Sequence, residues 1–134
     1  MKILLDTHIA LWAITDNEKI PHNFITIINN PENEIFYSLV SVWEIAIKHY
    51  IKPELMPIKE EEFMENCSKS GFKQLSIKTN HIFNIKSLKR DSNAPSHNDP
   101  FDRLLISQAK TDNFLFLTHD SLLSYYNESC IKFE

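Results

Sequence analysis

Five acidic residues stand at positions where chemistry could be done. Asp6 follows directly on the apolar run Ile3-Leu4-Leu5, and Asp120 closes the run Phe114-Leu115-Phe116-Leu117 after Thr118-His119. Glu44 falls one turn into a helical pattern, and Asp99 and Asp102 open another around Pro100-Phe101. Carboxylates are hard oxygen donors, suited to Mg2+ or Mn2+, which keep several waters and need only a few protein ligands. A cation held this way can activate water and neutralise phosphate charge, the chemistry of metal-assisted phosphodiester hydrolysis.

Each acid also has a plainer use. Asp99 before Pro100 is a good N-cap, and Asp102 is then its acidic partner in the first turn. Ser41-x-x-Glu44 has the form of a capping box, and Asp120 could cap a short final helix. Asp6 resists such a reading, because a carboxylate that ends a buried strand needs a partner. His8, His97 and His119 lie within two residues of these aspartates, yet no His-x3-His pair supports a zinc site, so they read as exposed or supporting residues. The common destination of the acids depends on the elements that carry them.

Those elements alternate. Strands are expected at Ile3 to Leu5, Ile35 to Ser38, Gln74 to Ile77, Phe114 to Leu117 and Ile131 to Phe133. Between them come helical patterns over Thr7 to Ile14, from Pro21 to Asn29, over Ser41 to Tyr50, Lys59 to Ser70 and Lys78 to Leu88, from Pro100 to Lys110, and over Leu122 to Tyr126. Lys89 to Asn98 is polar, contains Pro95 and reads as a loop. This order predicts an α/β three-layer sandwich, a central and mainly parallel sheet flanked by helices, over one domain spanning residues 1–134. Sites in such sheets lie beyond the carboxyl ends of the strands, where Asp6 and Asp120 fall if their strands are neighbours.

Composition sets limits on partners. Lys plus Arg number 14 and Asp plus Glu 18, a net charge of −4, so no general basic surface is available for nucleic acid. A nucleic-acid site must be local or depend on cations. Gly71 is the only glycine, which excludes a glycine-rich phosphate loop. Cys67 and Cys130 match no metal or redox spacing and read as free thiols of a reducing compartment. With no signal-peptide pattern and no apolar run of membrane length, the chain is expected to be cytoplasmic, without a membrane partner.

Four segments, in order and spacing, resemble the PIN domain, and more narrowly the VapC-like toxins of bacterial type II toxin–antitoxin systems. They are Leu4-Leu5-Asp6-Thr7-His8, Ser41-Val42-Trp43-Glu44-Ile45-Ala46, His97 to Ile106 with its Asp-Pro-Phe-Asp-Arg run, and Leu117-Thr118-His119-Asp120. The resemblance implies a PIN-like fold and an endoribonuclease dependent on Mg2+ or Mn2+. It implies Asp6, Glu44 and Asp102 as core metal-binding and catalytic carboxylates, with Asp120 completing the quartet. Asp99 matches the first aspartate of the motif, as ligand or as cap, and Thr7 and Thr118 would support the site. It implies an RNA substrate, a cognate antitoxin whose tail occupies the active-site groove, and a homodimer. Candidate RNA contacts are Arg103, Lys48, Lys86, Lys89 and Arg90.

Three other readings compete. A haloacid-dehalogenase-type phosphatase also begins with a strand and an aspartate, but His8 stands where its second aspartate would be. A metal-dependent nuclease acting on structured DNA uses the same chemistry. A non-catalytic α/β binding module would use the acids only as caps.

Overall fold

The apolar residues of the three central strands alternate between two faces, and this alternation builds the protein. In the computed structural model, which describes residues 1–134, Ile3 and Leu5 of β1 (Lys2–Leu5) enter one core while Leu4 enters another. β2 (Glu34–Ser38) sends Ile35 and Tyr37 to the first core, and β4 (Leu115–Thr118) splits Leu117 and Phe116 in the same manner. Residues buried on both faces of a sheet require cover on both faces, which is why the strands read as continuous apolar runs. β3 (Lys73–Leu75) and β5 (Ile131–Phe133) complete a five-stranded sheet in the order β3-β2-β1-β4-β5. Every pairing is parallel, so the sheet expected to be mainly parallel is wholly so.

Helices α1 (Thr7–Thr15), α2 (His22–Asn29) and α4 (Glu60–Lys69) cover the first face, where Ile9, Phe24, Phe63 and Cys67 are fully buried. The opposite face is covered by α6 (Pro100–Asp112), which buries Leu104 through Ala109 without interruption. Helix α3 (Leu39–Ile51) spans both cores, with Val40 in the second and Ile45 in the first. β1 is the central strand, and the chain steps from its β2 side to its β4 side only once. The switch point of the sheet therefore lies between β1 and β4, and Asp6 N–H bonds Leu117 O at 3.0 Å where these strands end.

Several boundaries depart from expectation for local reasons. The cap of α3 is Ser38, whose hydroxyl accepts from Val40 N–H at 2.9 Å, so the helix starts before Ser41. Ser41-x-x-Glu44 is accordingly no capping box. Pro21 has an extended backbone and precedes α2 instead of opening it. The helix expected over Lys78 to Leu88 shortens to α5 (Thr79–Phe83) and tightens into a 3-10 turn at Asn84–Ser87. The final helix is also 3-10, over Ser121–Tyr125, too short to gain from α-helical propagation. α6 ends at Asn113, whose φ of 63° is the left-handed conformation that asparagine tolerates.

His81 locks α5 onto α6. Its Nδ1 accepts from Lys78 N–H at 3.0 Å, which leaves the proton on Nε2, and that nitrogen lies 2.7 Å from Asp112 Oδ2. The ring is fully buried, and Ser107 Oγ donates to His81 O at 2.5 Å. Replacing His81 with alanine should leave Lys78 N–H and the Asp112 carboxylate without their ring partner, while Ser107 keeps its bond to the backbone carbonyl, and cost about 2 kcal/mol of stability. Urea denaturation checks this; an unchanged midpoint would show that the contacts contribute nothing.

Candidate metal and nuclease site

Asp6 stands at the end of the central strand and is buried. Its backbone ends β1 and caps α1, one oxygen accepting from Thr7 N–H at 2.8 Å. The other oxygen accepts from Thr118 Oγ1 at 2.6 Å, across the β1–β4 pair. Thr118 in turn accepts from Asp120 N–H at 3.1 Å, which ties the turn after β4 to the same carboxylate. Burial pushes the Asp6 carboxyl up to about 6 against the lowering effect of those two hydrogen bonds, and Glu44 and Asp120 add repulsion.

Thr7 links α1 to α3. Its hydroxyl donates to Glu44 Oε1 at 2.7 Å and, its only proton committed there, accepts from Ser41 Oγ at 2.8 Å. Lys48, one turn on from Glu44, donates to Oε2 at 2.6 Å. Both oxygens of Glu44 are thus held, though the residue is only 4% exposed. Burial opposes the Lys48 charge, yet the bond to Glu44 and the nearby Glu44, Asp99 and Asp102 carboxylates keep its pKa above that of an ordinary lysine.

Asp99 and Asp102 arrive together at the start of α6. Asp99 does cap the helix, its Oδ1 accepting from Asp102 N–H at 3.0 Å, and Asp120 caps the last 3-10 turn through Leu122 N–H at 2.9 Å. Capping leaves the second oxygen of each carboxylate available, so it does not compete with a role in the cluster. Asp102 is the most perturbed group. Burial raises its carboxyl to about 8, and Asp6, Asp99, Glu44 and Asp120 all add to the shift. Four segments therefore bring five carboxyl groups within mutual electrostatic reach at the carboxyl edge of one sheet.

The donor chemistry suits a hard divalent cation. No three acidic, histidine or cysteine side chains close into a ready-made cage. Mg2+ and Mn2+ do not require one, because they retain waters and bind through one or two carboxylates plus phosphate oxygens. Asp6, Glu44, Asp102 and Asp120, with Asp99 at the rim, are the residues that would hold it.

The five basic candidates divide. Lys48 sits in the cluster. Arg103 Nη1 donates to the Tyr126 hydroxyl at 3.0 Å, and the Arg90 guanidinium lies 4.9 Å from the centre of the Tyr126 ring. Lys86, exposed on the Asn84–Ser87 turn, and Lys89, exposed in the following loop, make no hydrogen bond or ion pair with any of the five acids. His8 is exposed beside Trp12, and His119 packs edge-on against the same indole. His97 is buried, bonded to Asp102 through Nε2 at 3.1 Å and to Tyr126 through Nδ1 at 2.8 Å. Burial, and next the Arg90 charge, hold its pKa below the ordinary histidine value. Sequence reasoning passed over Ser41 as a partner of Thr7, although its spacing of three from Glu44 places both on one helical face. Tyr126 carried no local signal at all.

The model of the PIN domain family matches residues 3–128. The chain belongs to the PIN domain family. PIN domains are generally nucleases that use divalent metals. Among solved structures, the chain is similar to one in the DNA-bound VapBC complex of Salmonella typhimurium, with a TM-score of 0.64, 14% identity, and coverage of 100% of this chain and 97% of that one. It is likewise similar to one in VapBC2 of Rickettsia felis bound to a fragment of its promoter DNA, with a TM-score of 0.62, 17% identity, and coverage of 100% and 98%. At these identities the likeness is one of fold. No curated protein sequence matches the chain. No helix of this PIN domain is long and apolar enough to cross a membrane.

The raised carboxyls have a consequence for stability without metal. A group whose folded pKa lies above its unfolded value stabilises fully below the unfolded pKa, here near 3.8, and that contribution is lost as pH rises through about 6 for Asp6 and about 8 for Asp102. The melting temperature in EDTA should fall between about pH 4 and pH 8, and Asp102→Asn should remove most of the decline. Mn2+ should raise the melting temperature more at high pH than at low. A flat profile in EDTA would contradict the repulsion described.

Proposed function

We propose that this PIN domain is a metal-dependent endoribonuclease and the toxin of a bacterial toxin–antitoxin pair. The observation that carries the reading is the convergence of Asp6, Glu44, Asp99, Asp102 and Asp120, with Asp102 raised by burial and by repulsion from the other four. Bound Mg2+ or Mn2+ would supply positive charge at the scissile phosphate and make water a competent nucleophile near neutral pH. Thr118 and Thr7 fix the two oxygens of Asp6, and Thr7 and Lys48 fix those of Glu44, so these ligands need little reorganisation. Lys48 also places a cation beside the acids, where an RNA phosphate would lie. Arg103, Arg90, Lys86 and Lys89 are the further basic groups proposed to follow the RNA backbone.

The antitoxin reading draws on the fold shared with the two VapBC complexes and on one surface. A groove of about 300 Å³ is lined by His8, Lys48, Ile51, Lys52, Leu55 and Met56 beside the acidic cluster. Ile51 and Leu55 are 65% and 72% exposed, which suits an apolar segment laid across the groove mouth. The antitoxin tail would lie there, and a homodimer is proposed for the assembly.

The test is cleavage of a mixed RNA pool by the purified, partner-free protein. Cutting should require Mn2+ or Mg2+, stop in EDTA, and fall at least about a hundredfold in Asp6→Asn. Cutting of structured DNA but not RNA would transfer the proposal to the alternative nuclease substrate. Absence of both, with no metal bound, would favour a binding module whose acids act as caps.

A further inference from the structure

Asp102 is the end of a chain of side chains that runs away from the other acids. Arg103 Nη1 donates to the Tyr126 hydroxyl oxygen at 3.0 Å, the hydroxyl lies 2.8 Å from His97 Nδ1, and His97 Nε2 lies 3.1 Å from Asp102 Oδ2. Tyr126 and His97 are 5% and 7% exposed, so water does not offer an easy substitute for any of these bonds.

Counting protons fixes the direction. A phenol has one proton, and arginine can only donate. Arg103 therefore occupies the Tyr126 oxygen as an acceptor, and His97 Nδ1 is the only acceptor within reach of the Tyr126 proton. Nδ1 must then be unprotonated, which puts the imidazole proton on Nε2, facing the Asp102 carboxylate. The opposite direction would leave a buried hydroxyl proton without an acceptor, a state that proteins avoid.

The chain is also braced. His97 lies in the loop between the Asn84–Ser87 turn and α6, and Arg90 of that loop stacks on Tyr126 while donating to Pro95 O at 2.6 Å. Asp91 N–H bonds Tyr125 O at 3.1 Å, and Asn127 N–H bonds Lys89 O at 2.7 Å, which ties the loop to the segment carrying Tyr126. The His97 and Tyr126 rings meet edge to face, 5.6 Å between centres. His97 is thus held in one place and one tautomer.

We propose that Arg103, Tyr126 and His97 form a directed hydrogen-bond chain that positions the Asp102 carboxylate, and that Tyr126 and His97 thereby set how tightly the acidic site holds a divalent cation. The proposal rests on the nuclease reading of the same site. His97 and Tyr126 are positioning residues: the carboxylate meets the metal, and the chain orients the carboxylate. It also gives Arg103 a task within the fold, so its loss need not report on RNA alone.

Isothermal titration with Mn2+ tests this, using wild type, Tyr126→Phe, His97→Leu and His97→Gln, with a thermal melt of each. Tyr126→Phe keeps the ring under Arg90 and removes only the hydroxyl. Its Mn2+ affinity should fall about tenfold, and that of His97→Leu between about tenfold and a hundredfold, the range for loss of a group that orients a metal ligand. His97→Gln, which retains a side-chain N–H, should bind more tightly than His97→Leu. If wild type binds Mn2+ and Tyr126→Phe binds equally well, the chain is packing only and the proposal fails while the nuclease reading stands. A lowered melting temperature with unchanged affinity likewise overturns the proposal. If wild type binds no Mn2+, the metal-dependent reading falls and takes this proposal with it. Should His97→Leu fail to fold, the Tyr126→Phe titration decides alone.

Discussion

A carboxylate buried at the end of the central strand is the constraint around which this PIN domain is arranged. Asp6 sits at 5% exposure between two cores, and an unpartnered charge there would be prohibitive. The chain answers it from three directions: the N-terminus of α1, the hydroxyl of Thr118 on β4, and the turn that runs from Thr118 to Asp120. The β1–β4 pairing brings these together, so a register slip in that pair would dismantle the site before the fold. Around Asp6 the structure adds further acids instead of a permanent counter-charge. Lys48 is the only lysine or arginine bonded to any of the five, and its one bond is to Glu44.

That imbalance is costly to a protein without a cation and useful to one that binds it. Burial together with repulsion from the other four carboxyls raises Asp102, and protonation relieves the repulsion below about pH 8. A divalent cation would relieve it by taking the place of the proton, and would gain affinity from that relief. Net charge then stops being an objection to an anionic substrate. An acidic protein can hold a phosphodiester when the positive charge is concentrated where the reaction occurs.

Much of this was legible in the sequence because it is local. Apolar runs ending in Asp6 and near Asp120 identified strands and their carboxyl ends, and the alternation with helices identified the parallel sheet. Glu44 was legible as a candidate but not as a buried residue. Ser41 mimicked its cap, while the true cap, Ser38, was hidden inside a strand pattern that runs directly into α3. Asp99 and Asp120 posed a choice between cap and cluster; both do cap, each with one oxygen, which leaves the other available. Helix lengths near Lys78 to Leu88 and Leu122 to Tyr126 were less legible, because tight 3-10 turns share the spacing of short helices. Tyr126 lay beyond any local pattern. Its importance depends on the loop of residues 89–98 folding back beside residues 125–127, a long-range pairing that no periodicity announces.

We propose that the acids form one electrostatically coupled site which a divalent cation completes. Carbon-13 NMR titration of the Asp102 carboxyl, in EDTA and in saturating Mg2+, tests it most directly. The expected midpoint in EDTA is about 8, well above the ordinary value of 3.8, with a large downward shift when Mg2+ is added. An ordinary midpoint that ignores Mg2+ would contradict it, and would leave five well-placed caps without a shared purpose.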